Sequence, residues 1–173
     1  MKPILTFLLS IVIGSIALIC SHDFVAYDPT LLNLVNDVRK ENNLQPVKFN
    51  KKLAKSSLTK ACDMNEKRYI THTSPDGKLW EFIKDTGYHF VMAGENLGQG
   101  CTDSGCVELW MLSPKHKAII LDPRFKEGAV SRCGDSVALH FGTRLTVKQR
   151  VQIMIFRIKA ILRQETILPT TNI

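Results

Sequence analysis

Ala129-Val130-Ser131-Arg132 and Val137-Ala138-Leu139-His140-Phe141 are two short, mostly apolar runs joined through Cys133-Gly134-Asp135. Their length, and the turn residues between them, give a hairpin signal. Phe90-Val91-Met92-Ala93 reads as a further strand leading into Gly94-Glu95-Asn96. The segments before these read as helices. Asp28-Pro29 supplies an N-cap followed by proline at the first helical position. Leu31, Leu32, Val35 and Val38 then share one face, and the helix is expected to end near Asn42-Asn43. Asn50 can cap a second helix with Leu53, Ala54, Leu58, Ala61 and Cys62 on its apolar side. Helices first and a small antiparallel sheet near the end make the fold class α+β.

Shorter elements fill the middle. Thr71-His72-Thr73-Ser74-Pro75-Asp76-Gly77 is a turn, because proline presets φ and glycine permits a positive one. A short helix with Leu79, Trp80, Phe82 and Ile83 follows, stopped at Gly87. Gly98 to Gly105 reads as a loop holding two cysteines. Val107, Trp110 and Met111 suggest another helix, and Ser113-Pro114 restarts a helical turn.

Both ends of the chain carry separate signals. Met1-Lys2 precedes Ile4 to Cys20, a run without charge that reads as a secretory signal. Within it Ser15-Ile16-Ala17 fits a small-x-small cleavage site, whereas Ala17-Leu18-Ile19-Cys20 resembles a lipobox with Cys20 as the lipidated residue. The lipoprotein reading is the one preferred, despite the bulky Ile19, and places the body on a membrane without spanning it. From Val147 the chain becomes helical again: Val147, Val151, Met154, Ile155, Ile158, Ile161 and Leu162 form one stripe. The basic residues mostly take the other side. Docking of this helix on the domain is the expectation, and a helix lying on anionic lipid is the rival. The boundaries that follow are 1–20 for the signal, 21–28 for a linker, 29–143 for the domain and 144–173 for the basic amphipathic tail.

Composition narrows the function classes. Of 173 residues, 45% are apolar and 23% charged, as in ordinary globular domains. No internal repeat or low-complexity tract appears, and only one stretch is apolar enough to enter a bilayer. The formal charge of +7 is uneven. Residues 21–143 hold 16 basic against 15 acidic side chains, while residues 144–173 hold six basic and one acidic. A near-neutral body and an export signal argue against nucleic acid as a partner. Cys62, Cys101, Cys106 and Cys133 remain after residue 20 and allow two disulfides in three connectivities. A structural zinc site is disfavoured because no C-x2-C pair occurs.

Several segments together resemble the CAP superfamily (cysteine-rich secretory proteins, antigen 5 and pathogenesis-related proteins; SCP domains), in its bacterial branch. They are Leu34-Val35-Asn36-Asp37-Val38-Arg39, Leu44-Gln45-Pro46-Val47 with Leu53-Ala54, His72-Thr73-Ser74-Pro75-Asp76-Gly77, and Ala93-Gly94-Glu95-Asn96-Leu97. Val107-Glu108-Leu109-Trp110-Met111 and Ser113-Pro114-Lys115-His116 follow, with Phe125 and Gly128 beyond. The resemblance implies a three-layer α-β-α sandwich around a small, largely antiparallel sheet. Many members carry a cavity tetrad of two His and two Glu, and some bind zinc there.

In this chain His72 matches the first histidine and Glu95 the glutamate of the Gly-Glu-Asn segment. Ser113 stands where animal and plant members place the second glutamate, and Ser136-Val137-Ala138-Leu139 lacks the second histidine. The tetrad is therefore incomplete. His116, of the bacterial Ser-Pro-x-His turn, and Glu108 are the other nearby candidates. His72, Glu95 and His116, with Glu108 as a weaker fourth, are the candidate ligands for zinc or another divalent cation. Three protein ligands would leave one coordination position open. The plainer reading gives each a structural role: His72 bonding its turn, Glu95 capping amides, His116 exposed on a helix. His22, His89 and His140 show no partner pattern and read as structural or exposed.

No H-E-x-x-H or G-x-S-x-G motif is present. The expected function is a surface, membrane-anchored, non-enzymatic binding module for a lipid, sterol, peptide, or host or envelope component. Trp80, Trp110 and Phe90 are candidates to line its groove. A divalent-metal hydrolase with Glu95 or Glu108 as base is the alternative. The partners expected are a membrane, through Cys20 and the helix 147–163, and a small amphipathic ligand. The expected location is the cell envelope or outer surface, with plain secretion as the alternative.

Overall fold

A computed structural model describes residues 27–165 of the chain. The signal segment, Cys20, His22 and most of the proposed linker lie outside them. The elements in order are α1 (Pro29–Glu41), β1 (Lys48–Phe49), α2 (Lys51–Lys67), α3 (Glu81–Lys84) and β2 (Phe90–Gln99). They continue with α4 (Asp103–Leu112), α5 (Pro114–Ile120), β3 (Glu127–Cys133), β4 (Ser136–Arg144) and α6 (Val147–Glu165).

Two helix starts follow directly from local chemistry. The Asp28 carboxylate accepts from the Leu31 amide at 3.0 Å, with Pro29 at the first helical position. Asn50 accepts from the amides of Lys52 and Leu53, at 2.9 and 3.3 Å. Each satisfies donors that a helix start otherwise leaves unpaired. α1 stops at Glu41, where Asn42 caps it and Asn43 turns to φ 60°.

The four strands lie in the order β1-β3-β4-β2. β4 pairs antiparallel with both β3 and β2, and β1 adds a short parallel edge to β3. The β3–β4 hairpin turns at Gly134, whose φ of +55° favours a residue without Cβ. β2 is longer than its apolar run suggested. It continues through Gly94-Glu95-Asn96 to Gln99, because β4 offers partners along that whole length. The cysteine-bearing loop shrinks accordingly, since β2 ends at Gln99 and α4 starts at Asp103.

Alternation along β3 and β4 divides the core in two. Val130, Val137, Leu139 and Phe141 pack with Leu31, Leu32 and Val35 of α1 and with Val107 and Trp110 of α4. Ala129 packs instead with Leu53 and Ala54 of α2, and Ala138 with Ala61 and Met64 farther along that helix. Helices therefore cover both faces of the sheet, and the α-β-α sandwich is the architecture observed. Arg39, buried in α1, donates to the carbonyls of Gln45, Ile120, Asp122 and Phe125. That guanidinium fixes α1 to the turn after α5.

Two disulfides are present. Cys62 of α2 joins Cys133 at the end of β3, and Cys101 joins Cys106 at the start of α4. The tail helix differs from the docking expectation. Val147, Val151, Met154, Ile155 and Ile158 of α6 are all exposed. Docking an amphipathic helix needs an apolar seat on the domain, and here both core faces are already covered by α1, α2 and α4.

Candidate functional site

The site grows from one cross-strand pair. β2 and β4 place Glu95 directly opposite His140, on the sheet face covered by α2. The His140 Nε2 and Glu95 Oε2 atoms are 2.8 Å apart, and both side chains are almost fully buried. The second oxygen, Oε1, meets His72 Nδ1 at 2.7 Å. His72 comes from the turn after α2 and remains 52% exposed. On the far side, Ser56 of α2 lies 2.7 Å from His140 Nδ1. The result is a hydrogen-bonded line from buried Ser56 through His140 and Glu95 to His72 at the surface.

The line has a definite sense. Burial alone would raise the Glu95 pKa, but hydrogen bonds from His140 and His72 and the charges of His140 and Lys60 hold it below the ordinary value. A carboxylate only accepts, so the two imidazole nitrogens facing it carry hydrogens. A His72 ring with its single hydrogen on Nδ1 presents an unprotonated Nε2. Ser56 has one hydroxyl hydrogen and two acceptors in reach, His140 Nδ1 and the Leu53 carbonyl at 2.9 Å. Donation to Nδ1 leaves His140 neutral; donation to Leu53 requires an imidazolium.

Lys60 holds the exposed end in place. It is fully buried, and its ammonium donates to the Thr71 and His72 carbonyls at 2.8 and 2.9 Å and to Tyr69 Oη at 3.1 Å. The same Nζ lies over the rings of Tyr69 and Phe82. Burial pulls the Lys60 pKa down, against the charges of Glu95 and Asp63. The backbone of the His72 turn is thus pinned from below by a buried cation.

His140 corrects the reading that it lacked a partner. Its signal was a titratable residue inside an otherwise apolar strand, but its partner became visible only with the β2–β4 register. Lys60 is a second residue missed, and its signal was a charge on the apolar stripe of α2.

His116 sits at the third position of α5, and its carbonyl accepts from the Asn96 side chain at 3.1 Å. Its pKa is lowered, first by burial and then by the charges of His72 and Lys115. Desolvation is thus the main cause of that shift. Glu108 is exposed on α4 and does not line the groove.

The proposed ligand set is not assembled: among the described residues no group of three His, Cys, Asp or Glu is placed to hold one metal ion. The physical reason lies in Glu95, both of whose oxygens are taken by imidazole nitrogens. In this arrangement Glu95 backs His72 and His140 rather than standing free beside His72 and His116.

A groove opens beside this line, along β2 at the edge of the sheet. Its volume is about 500 Å3. Leu79, Trp80, Met92, Ile119 and Phe125 give it apolar walls, and His72, Glu95, Asp122 and Arg124 are its polar lining. Trp80 takes the place expected of it. Trp110 belongs to the core, donating from Nε1 to the Leu97 carbonyl at 2.7 Å, and Phe90 packs on Tyr88 and Trp80. Gly94 is needed at the groove floor. A Cβ there would lie 2.6 Å from Phe125 Cζ and 3.1 Å from Ile119 Cγ2.

Helices on both faces of a short, largely antiparallel sheet, with a histidine-flanked glutamate at a groove along its edge, define the class as an SCP-type sandwich. The chain belongs to the cysteine-rich secretory protein family (CAP), which it matches over residues 32–142. It is 35% identical over 102 residues to the uncharacterized protein YkwD of Bacillus subtilis, an alignment covering 58% of this chain and 40% of that protein. The chain thus spans about two fifths of that relative's length. Among solved structures, an outer surface protein from Borrelia burgdorferi is similar at 26% identity and TM-score 0.61, over 66% of this chain and 90% of the other. An extracellular SCP-domain protein from Bacillus anthracis shares the fold at TM-score 0.63 and 23% identity, over 66% of this chain and 39% of that one. Among the described residues no helix is long and apolar enough to cross a membrane.

Proposed function

We propose that this protein is an extracytoplasmic, membrane-attached binding module that holds the apolar part of a small amphipathic or peptide ligand in the groove beside β2. The ligand's polar end would meet His72. One observation carries this reading: a largely apolar groove is lined by a few polar side chains, His72, Glu95, Asp122 and Arg124, and that combination is the usual form of a small-molecule site. Glu95 orients the His72 ring from behind, leaving Nε2 to accept a hydrogen bond from the ligand. The export signal and the outer-surface description of the Borrelia relative support the location. Attachment through Cys20 rests on the sequence.

Titration with the fluorescent fatty acid cis-parinaric acid tests the groove. Saturable one-site binding is expected in the wild type. Gly94→Ala should weaken it about tenfold, since one methylene in an apolar pocket is worth roughly that much. Thermal unfolding of the same variant reads any overpacking cost separately. Equal affinities in the two proteins, or no saturable binding, would remove the groove as the site.

The metal-hydrolase reading separates cleanly. The binding reading expects no stoichiometric zinc on protein equilibrated with micromolar zinc and passed through a desalting column. One zinc per chain by elemental analysis, lost in His72→Ala, would favour the hydrolase.

A further inference from the structure

α6 combines three features. Seven apolar side chains, Val147, Val151, Met154, Ile155, Ile158, Ile161 and Leu162, are between 43% and 76% exposed. At about 100° per residue they fall within an arc of about 120°. Four exposed cations border that arc on both sides: Lys148 and Lys159 along one edge, Arg150 and Arg157 along the other. Ile153 and Phe156 lie outside the arc, so the opposite face is not uniformly polar.

We propose that α6 lies flat on an anionic lipid bilayer, with the stripe among the acyl chains and the flanking cations at the headgroups. Long basic side chains beside an apolar stripe can keep their stems in the apolar layer and their charges in the headgroup layer. The charge pattern selects lipid over a second copy of the chain. Residues 147–165 contain five basic residues and one acid, Glu165. Packing two such stripes together would set like charges against like along both flanks, where paired helices normally place opposite charges. A bilayer carrying negative headgroups complements both flanks at once. The same charges rule out α6 as a spanning helix. This inference does not depend on the groove holding a ligand or on acylation of Cys20.

Residues 21–173 retain every described element and both disulfides, and they lack the apolar run 4–20 that would bind lipid by itself. Sedimentation of this chain with vesicles of phosphatidylglycerol and phosphatidylcholine in equal parts is the test. Binding is expected there, with at least tenfold weaker binding to pure phosphatidylcholine and a further fall in high salt. The fourfold variant Lys148→Gln, Arg150→Gln, Arg157→Gln, Lys159→Gln should lose about fivefold for each cation removed. Ile155→Asp with Ile158→Asp should abolish binding. All these side chains are exposed, so thermal unfolding midpoints should stay within a degree or two of wild type, which separates lost binding from lost folding. Equal binding to both vesicle types, none to the anionic ones, or unchanged binding in either variant would overturn the proposal. So would a dimer in sedimentation equilibrium that the double Asp variant dissolves, in a chain that ignores vesicles.

Discussion

Replacing Cys62 and Cys133 together by alanine should lower the unfolding free energy by about 4 kcal/mol under oxidising conditions. The bond closes a loop with a sequence separation of 71, and the cost of leaving such a loop open in the unfolded chain grows with its length. The Cys101–Cys106 bond closes a separation of only 5, so its removal should cost about 2 kcal/mol. Urea unfolding of the two double variants beside the wild type measures both. Equal losses, or a larger loss from the short loop, would contradict the account. The long bond also matters for the site. It ties α2, which carries Ser56 and Lys60, to the hairpin that carries His140.

Glu95→Leu is the second large effect. It keeps the side-chain volume but removes both acceptors, leaving the buried His140 Nε2 without a partner. Two hydrogen bonds to a charged group are lost and one buried polar atom is stranded, for a total of about 4 kcal/mol. Glu95→Gln should cost much less, about 1–2 kcal/mol. Its oxygen can keep facing His140, while its NH2 faces His72 and forces that ring to carry hydrogen on Nε2 instead. The groove-facing nitrogen would then donate where it had accepted, so a ligand that donates to Nε2 should be lost with little change in stability. The pH dependence has a fixed sign. The folded pKa of Glu95 lies below its ordinary value of 4.5, so its contribution is complete above that value. It is lost as the pH falls through the depressed folded value. The stability gap between wild type and Glu95→Leu should therefore hold at neutral pH and narrow in acid. A gap that widens in acid would mean that Glu95 is not held as a carboxylate.

What could be read from the residues was what local chemistry decides. Asp28-Pro29 and Asn50 announce their helices because capping needs only neighbours in sequence. Gly134 announces its hairpin for the same reason. The segments carrying His72 and Glu95 pointed to the correct cavity wall through the family resemblance. The link from Glu95 to His140 was not legible, because it depends on strand register, and a one-residue slip would send the two side chains to opposite faces. Lys60 stood on the apolar side of α2, where a charge is out of pattern, but the carbonyls that receive it belong to a turn eleven and twelve residues away. The exposure of α6 escaped for another reason. Amphipathic periodicity shows that a helix has an apolar stripe and says nothing about what covers it.

β4 lies between β3 and β2 in the sheet yet is the last of the four strands to be synthesised. A chain emerging amino end first therefore holds β2 for some forty residues with no neighbour to bond to. β1 likewise waits for β3, and the two terminal nitrogens of Arg39 for the carbonyls of Ile120, Asp122 and Phe125. Closure of the sandwich is thus a late, concerted event, governed by long-range encounters and slow by the standards of helical proteins. Termination anywhere upstream of Ser136 would strand an open edge able to pair with other chains, so a shortened product should aggregate rather than survive as a smaller stable domain.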